Sequence, residues 1–384
     1  MRIIVVFLLM VMSLLAEDSK VGAENRSAYF PLLKNKNVAV VVNHSSFVGN
    51  THVVDLLMNN GVQVKRIFAP EHGFRGKADA GEHLKNGVDV KSGLPIISLY
   101  GKHKKPTNQD LEGIEVIIFD IQDVGVRFYT YLSTLHYVME AAAESGVRVI
   151  VLDRPNPNGE RIDGPVMQKE FYSFVGLHPV PLLYGMTIGE YAGMINGEGW
   201  LKRGVKVDLK VIKLQNYRHD KFYHLPIKPS PNLPNDLSIA LYPSLALFEG
   251  TVISAGRGTT KQFQLYGAPK YKKREFSFVP KPMTGAKYPK YRGQRCYGVD
   301  LSHVDVKVVH QAQSMNLTYL LDAYKNYDDK ANFFLKNGFF ERLAGNSKLR
   351  KQIEAGQSAA VIRGSWQKDL KQFKKMREKY LLYP

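Results

Sequence analysis

The sequence predicts an α/β protein: a doubly wound parallel sheet joined to a second, smaller C-terminal α/β domain. Three observations predict it. Short continuous Val/Ile runs recur along the first 220 residues, amphipathic stretches separate them, and polar residues follow each run directly. Continuous apolar strands alternating with helices require a sheet covered on both faces, and such sheets are parallel.

The elements follow in order. Strands are expected over 37–42, 64–69, 115–120, 147–152 and 207–212, with helices over 51–60, 131–145 and 186–200. Near 217–235 the texture changes, because Pro226, Pro229, Pro231 and Pro234 interrupt any regular element. This places a boundary near residue 220, with a first domain over 24–220 and a second over 221–384. The second domain is expected to hold a strand over 304–309, helices over 317–326 and 329–337, and a closing helix over 366–380.

Ahead of these elements, Met1-Arg2 and the apolar run 3–15 are followed by small residues at Ala16 and at Val21-Gly22-Ala23. This is the pattern of a secretory signal peptide. Residues 1–23 are therefore set apart, and the protein is expected to be periplasmic or secreted. Beyond them no segment has the roughly 20 apolar residues needed to span a bilayer.

With 53 Lys and Arg against 35 Asp and Glu, the chain carries a formal charge of +18. Such a surface attracts polyanions. For an exported protein these are wall polymers, anionic glycans and lipid headgroups, and no nucleic-acid module is recognisable. The basic run 368–379 reads as a solvated helix face. Cys296, the single cysteine, permits no internal disulfide, and its flanks match no thiol-enzyme signature.

In an open parallel sheet ligands bind beyond the carboxyl ends of the strands. Here the first strand runs into Asn43-His44-Ser45-Ser46, and the second into Glu71-His72-Gly73-Phe74-Arg75. The third ends at Asp120 and continues to Asp123 and Arg127, and the fourth ends at Asp153. Caps and turns explain one such residue but not the group. Glu71 and Glu82, in one glycine-containing loop, form the sharpest pair, since sugar hydrolysis uses two carboxylates about the scissile bond. Asp120 and Asp123 stand behind them. No dinucleotide fingerprint, phosphate loop, nucleophile elbow or zinc-protease helix is present. His72, Asp120 and Asp123 follow no metal-ligand spacing, so neither metal nor cofactor is expected. A second dense segment, 229–260, sets Arg257 between Gly256 and Gly258, where a planar cation meets little steric bulk.

Together APEHGFRG (69–76), AGE (80–82), FDIQDVGVRFYTYLSTL (119–135), VLDRPNPNG (151–159), GMTIGE (185–190), PSPNLPN (229–235) and LFEGTVISAGRGTT (247–260) resemble the exo-β-N-acetylmuramidase (NamZ-like) glycoside hydrolases. The resemblance runs from about residue 30 to Tyr383. It implies a Rossmann-like domain, a smaller C-terminal domain and a site in the cleft between them. It also implies release of N-acetylmuramic acid from non-reducing ends of peptidoglycan fragments by a loop glutamate, matched here by Glu71 and Glu82. Candidate substrate-binding residues are Asn43, His72, Arg75, Arg127, Tyr129, Asp153, Asn232, Arg257 and Thr259. Arg75, Arg127 and Arg257 are the candidates for the lactyl carboxylate. The chain departs from the family pattern at Tyr184 and at Lys261-Gln262-Phe263-Gln264. The rival reading is a non-catalytic protein that binds wall glycans in the same cleft.

Overall fold

The computed structural model describes residues 19–74 and 86–384. Its centre is a seven-stranded sheet. The strands are β1 (Asn37–Val42), β2 (Gln63–Ala69), β3 (Gly87–Val88), β4 (Pro95–Ser98), β5 (Val116–Asp120), β6 (Arg148–Leu152) and β7 (Leu209–Ile212). Their order across the sheet is β7-β6-β5-β1-β2-β4-β3. All neighbours run parallel except β3, which pairs antiparallel with β4. After β2 and β4 the chain crosses back to the other side of β1, so strand order reverses between β1 and β5. The carboxyl ends of those two strands mark the topological switch point.

Alternation along β1 explains why both faces are covered. Val38, Val40 and Val42 pack with Tyr29, Leu33, Val53 and Leu57 from helices Arg26–Leu33 and Val53–Asn59. Ala39 and Val41 point the other way, into a larger core containing helices Tyr131–Glu144 and Ile188–Gly197. That second core continues through Leu241, Phe248, Phe263, Leu343 and Phe373. The C-terminal half therefore packs on one face of the sheet rather than standing apart from it.

The C-terminal half carries a three-stranded sheet, Leu265–Ala268, Cys296–Asp300 and Ser277–Phe278 in that order, and several short helices. Thr318–Asn326 and Gln367–Glu378 match the expected helices. In the latter, Leu370 and Phe373 are buried and the lysines face outward. The stretch 304–309 corrects an expectation. Its β-branched run suggested a strand, but Asp305 caps a helix, Val306–Gln311, by accepting from the Lys307 N–H at 2.9 Å. The expected helix over 329–337 is reduced to the turn Lys330–Asn332, and the next helix, Phe339–Ala344, starts after the left-handed Gly338. Helix Asp236–Leu245 forms within the proline-rich region, with Asn235 as its cap and Pro243 tolerated inside it.

Residues 1–18 lie outside the described residues. Residues 20–23, set apart with them from sequence, are built into the fold. Lys20 pairs with Gln215, Gly22 N–H donates to the Asp153 carbonyl at 2.8 Å, and Ala23 is fully buried. A Cβ on Gly22 would lie 2.3 Å from the Ile212 oxygen, so only glycine fits there. Among the described residues no helix is long and apolar enough to cross a membrane. Cys296 is buried, and burial pushes its thiol up to about 12.

Candidate active site

A cavity of about 480 Å³ lies where the strand ends meet the C-terminal half. Glu71 and His72 enter it directly after β2. His72 and Gly73 both have left-handed φ angles, 68° and 74°, so the chain reverses sharply at the strand end. Tyr100 and Lys104 come from the loop after β4, and Phe128, Tyr129 and Thr130 precede helix Tyr131–Glu144. The opposite wall is formed by Ser230, Asn232, Tyr242, Glu249, Arg257 and Phe263. Part of the lining is aromatic. Tyr242 meets Phe263 edge-on at 4.8 Å between centroids and Phe128 at 5.4 Å, giving the cavity an apolar aromatic wall.

Polar groups sit on both walls. The Thr130 hydroxyl donates to Glu71 Oε2. Across the cavity, Arg257 Nε donates to Glu249 Oε1 at 3.1 Å, and the guanidinium carbon lies 5.2 Å from the centre of the Phe263 ring. Burial pushes the Glu249 carboxyl up, but the Arg257 and Lys290 charges outweigh it and hold the group below its ordinary value. Gly256 and Gly258, at φ 80° and 82°, bend the chain so that Arg257 projects between them. The Tyr129 hydroxyl donates to the Pro229 carbonyl at 2.7 Å, tying the two walls together. Asn232 donates to the Gly285 carbonyl at 2.7 Å, while its Oδ1 has no hydrogen-bond partner among the described residues.

The cavity thus gathers Glu71, His72, Tyr129, Asn232 and Arg257 from the sequence-derived set. Glu71 from one half of the fold and Arg257 from the other line one cavity. Residues 38–237 match "Exo-beta-N-acetylmuramidase NamZ, N-terminal", and residues 240–383 match the C-terminal counterpart. The chain belongs to the NamZ exo-β-N-acetylmuramidase family. It is 41% identical over 381 residues to the peptidoglycan β-N-acetylmuramidase NamZ of Bacillus subtilis (strain 168), covering 92% of this chain and 89% of that protein. Two crystal structures of DUF1343 family proteins from Bacteroides fragilis NCTC 9343 share the fold. One superposes with a TM-score of 0.89 at 45% identity, covering 96% of this chain and 99% of that one. The other gives 0.81 at 29% identity, covering 95% and 99%.

Several expected residues of this NamZ-family chain serve the scaffold instead. Arg127 is 1% exposed and donates to the carbonyls of Pro165, Val180, Leu343 and Ala344, so its fork is saturated by backbone. Asp120 is fully buried in a two-bond ion pair with Arg154. Asp153 accepts from Tyr383, Thr187, Gly189 and Arg154. Asp123 is buried against Tyr184 and Gly125, and burial pushes its carboxyl up to about 6. Asn43 braces its loop through Ser45 and the Tyr131 hydroxyl. Thr259 donates to the Gly256 carbonyl at 2.7 Å and secures the turn that carries Arg257. None of these six lines the cavity. Arg75 and Glu82 lie outside the described residues.

Strand-end reasoning missed Glu249, Thr130, Tyr242 and Phe263, because none follows a strand. For Glu249 a signal existed: it is the one carboxylate of the segment 247–260, eight residues ahead of Arg257.

Proposed function

We infer that this chain is an exo-acting glycoside hydrolase that releases N-acetylmuramic acid from the non-reducing ends of peptidoglycan fragments. The observation that carries the reading is one cavity holding Glu71 on one wall and Arg257 on the other, in a chain that matches both halves of the NamZ family. Glu71 is the acid or base at the glycosidic oxygen, and Glu82 of the same loop supplies the second carboxylate. Arg257 receives the lactyl carboxylate, the group that separates muramic acid from glucosamine, because its planar donors match a carboxylate. The aromatic wall packs on the sugar ring.

The apolar run 3–15 supports action outside the cytoplasm, where peptidoglycan lies. The test is release of chromophore from a chromogenic N-acetylmuramic acid β-glycoside, with the N-acetylglucosamine analogue as control. Binding without release would favour the non-catalytic reading, which family membership disfavours.

A further inference from the structure

Among the described residues Arg257 makes one side-chain hydrogen bond and one ring contact. Its Nε donates to Glu249 at 3.1 Å, and one face of its guanidinium lies against Phe263. Nη1 and Nη2 donate to no atom of the described residues, and neither is a buried nitrogen lacking a partner. The outer pair of donors is therefore open to the cavity, parallel and spaced as a carboxylate requires.

Glu249 is itself held from behind. Lys290 Nζ donates to the carbonyls of Thr251 at 2.7 Å, Phe248 at 2.9 Å, Ile253 at 3.2 Å and Glu249 at 3.3 Å. These bonds pin the turn Ala246–Gly250 on which Glu249 stands. This wall carries two cations, Arg257 and Lys290, against one carboxylate, Glu249. Glu71 on the facing wall adds a second carboxylate whose charge Arg257 feels.

We propose that Glu249 is a positioning residue: it fixes Arg257 through Nε so that Nη1 and Nη2 grip the lactyl carboxylate, making specificity for muramic acid a property of the pair. The proposal rests on the functional reading above. Without Glu249 the guanidinium loses its anchor and rotates about its last side-chain bonds. Asp at 249 retains the charge but is one methylene too short, while Gln retains an acceptor without the charge.

The experiment measures kcat and KM of the full-length protein and of E249Q, E249A, R257A and E249A/R257A on the two chromogenic glycosides, with circular dichroism to confirm folding. Expected for E249A is a rise of about tenfold or more in KM for the muramic acid glycoside, exceeding any change in kcat, with E249Q milder. The ratio of kcat/KM between the two glycosides should fall to that of R257A, and the double variant should be no worse than R257A alone, as for residues acting as one unit. Additive losses in the double variant would overturn the proposal. So would a hundredfold fall in kcat on both glycosides with KM unchanged, which would make Glu249 a catalytic carboxylate. If the unmutated protein releases no chromophore from either glycoside, the functional reading itself fails and takes this proposal with it. If E249A and E249Q do not fold, R257A and E249D decide the matter: an unchanged substrate ratio in both overturns it.

Discussion

The Thr130 hydroxyl donates to Glu71 Oε2, joining the loop after β2 to the first turn before helix Tyr131–Glu144. A carboxylate so held has one oxygen tied to the start of that helix. Glu71→Gln should leave the protein folded, because this half-buried side chain lies on a cavity wall. It should lower kcat on the muramic acid glycoside by roughly a hundredfold or more, the scale of a positioned acid or base. Thr130→Val should lower it less, by loosening the carboxylate. Wild-type turnover in Glu71→Gln would remove Glu71 from the chemistry.

Arg257→Lys tests the fork rather than the charge. Lysine keeps the cation but loses the parallel donors. The ratio of kcat/KM on muramic acid over glucosamine glycosides should fall by about tenfold, since one good charge-assisted bond is worth about 1.5 kcal/mol or more. An unchanged ratio would move lactyl recognition to another residue.

Arg127 makes the opposite prediction from Arg257. It is a buried cation whose four acceptors are backbone carbonyls from both halves of the chain. Arg127→Ala leaves the Pro165, Leu343 and Ala344 oxygens without that donor, while Val180 keeps the Met167 N–H, and opens a void, so unfolding in urea should show a loss of at least ~3 kcal/mol. The substrate ratio of the protein that remains folded should not move.

Asp123 should write a pH dependence into stability. Burial raises its carboxyl from 3.8 to about 6, so the folded state binds the proton more tightly than the unfolded chain. Its contribution is full below about pH 4 and is lost as pH rises towards 6. Asp123→Asn is neutral throughout. The stability of the variant relative to wild type should therefore climb between pH 4 and 6, by on the order of 3 kcal/mol, and then level off. Denaturation midpoints that differ by a constant across this window would contradict the assignment.

The anchored residues 20–23 bear on processing. Cleavage after Ala23 would remove Gly22 and Ala23 from their places against Asp153 and Tyr29. Cleavage after Ala16 spares them. If the chain is processed as a secretory precursor, intact mass of the mature protein should give a start near Glu17, and a start at Glu24 would show that the packed segment is dispensable.

The sheet was legible in the sequence because β1, β5 and β6 are nearly continuous apolar runs, a signal that needs no tertiary context, while β2 and β7 keep enough apolar residues around Lys65, Arg66 and Lys210 to read as strands. β4, with only four residues beginning at a proline, and the short C-terminal helices gave no such signal. For the site, position after a strand identified Glu71 and His72 but could not separate them from Asp120 and Asp153. All are polar residues at strand ends. Only the partners distinguish them: Arg154 for Asp120 and Tyr383 for Asp153, each brought there by the fold. The glycines about Arg257 drew notice in the sequence, and their left-handed angles shape the bend from which it enters the cavity.

Asp153 collects backbone or side-chain bonds from residues 22, 187, 189, 212 and 383. Nearby, Leu382 N–H donates to Glu190 and the Pro384 carbonyl accepts from His219. The Tyr383–Asp153 contact spans 230 residues, more than half the length of the chain. Contacts of such separation are slow to form. A ribosome-bound chain lacking residues 380–384 would hold an incomplete first domain, whatever its β-strands had already done. The two halves are in this sense coupled, because residues 382–384 supply bonds that complete the surroundings of Asp153 and Glu190.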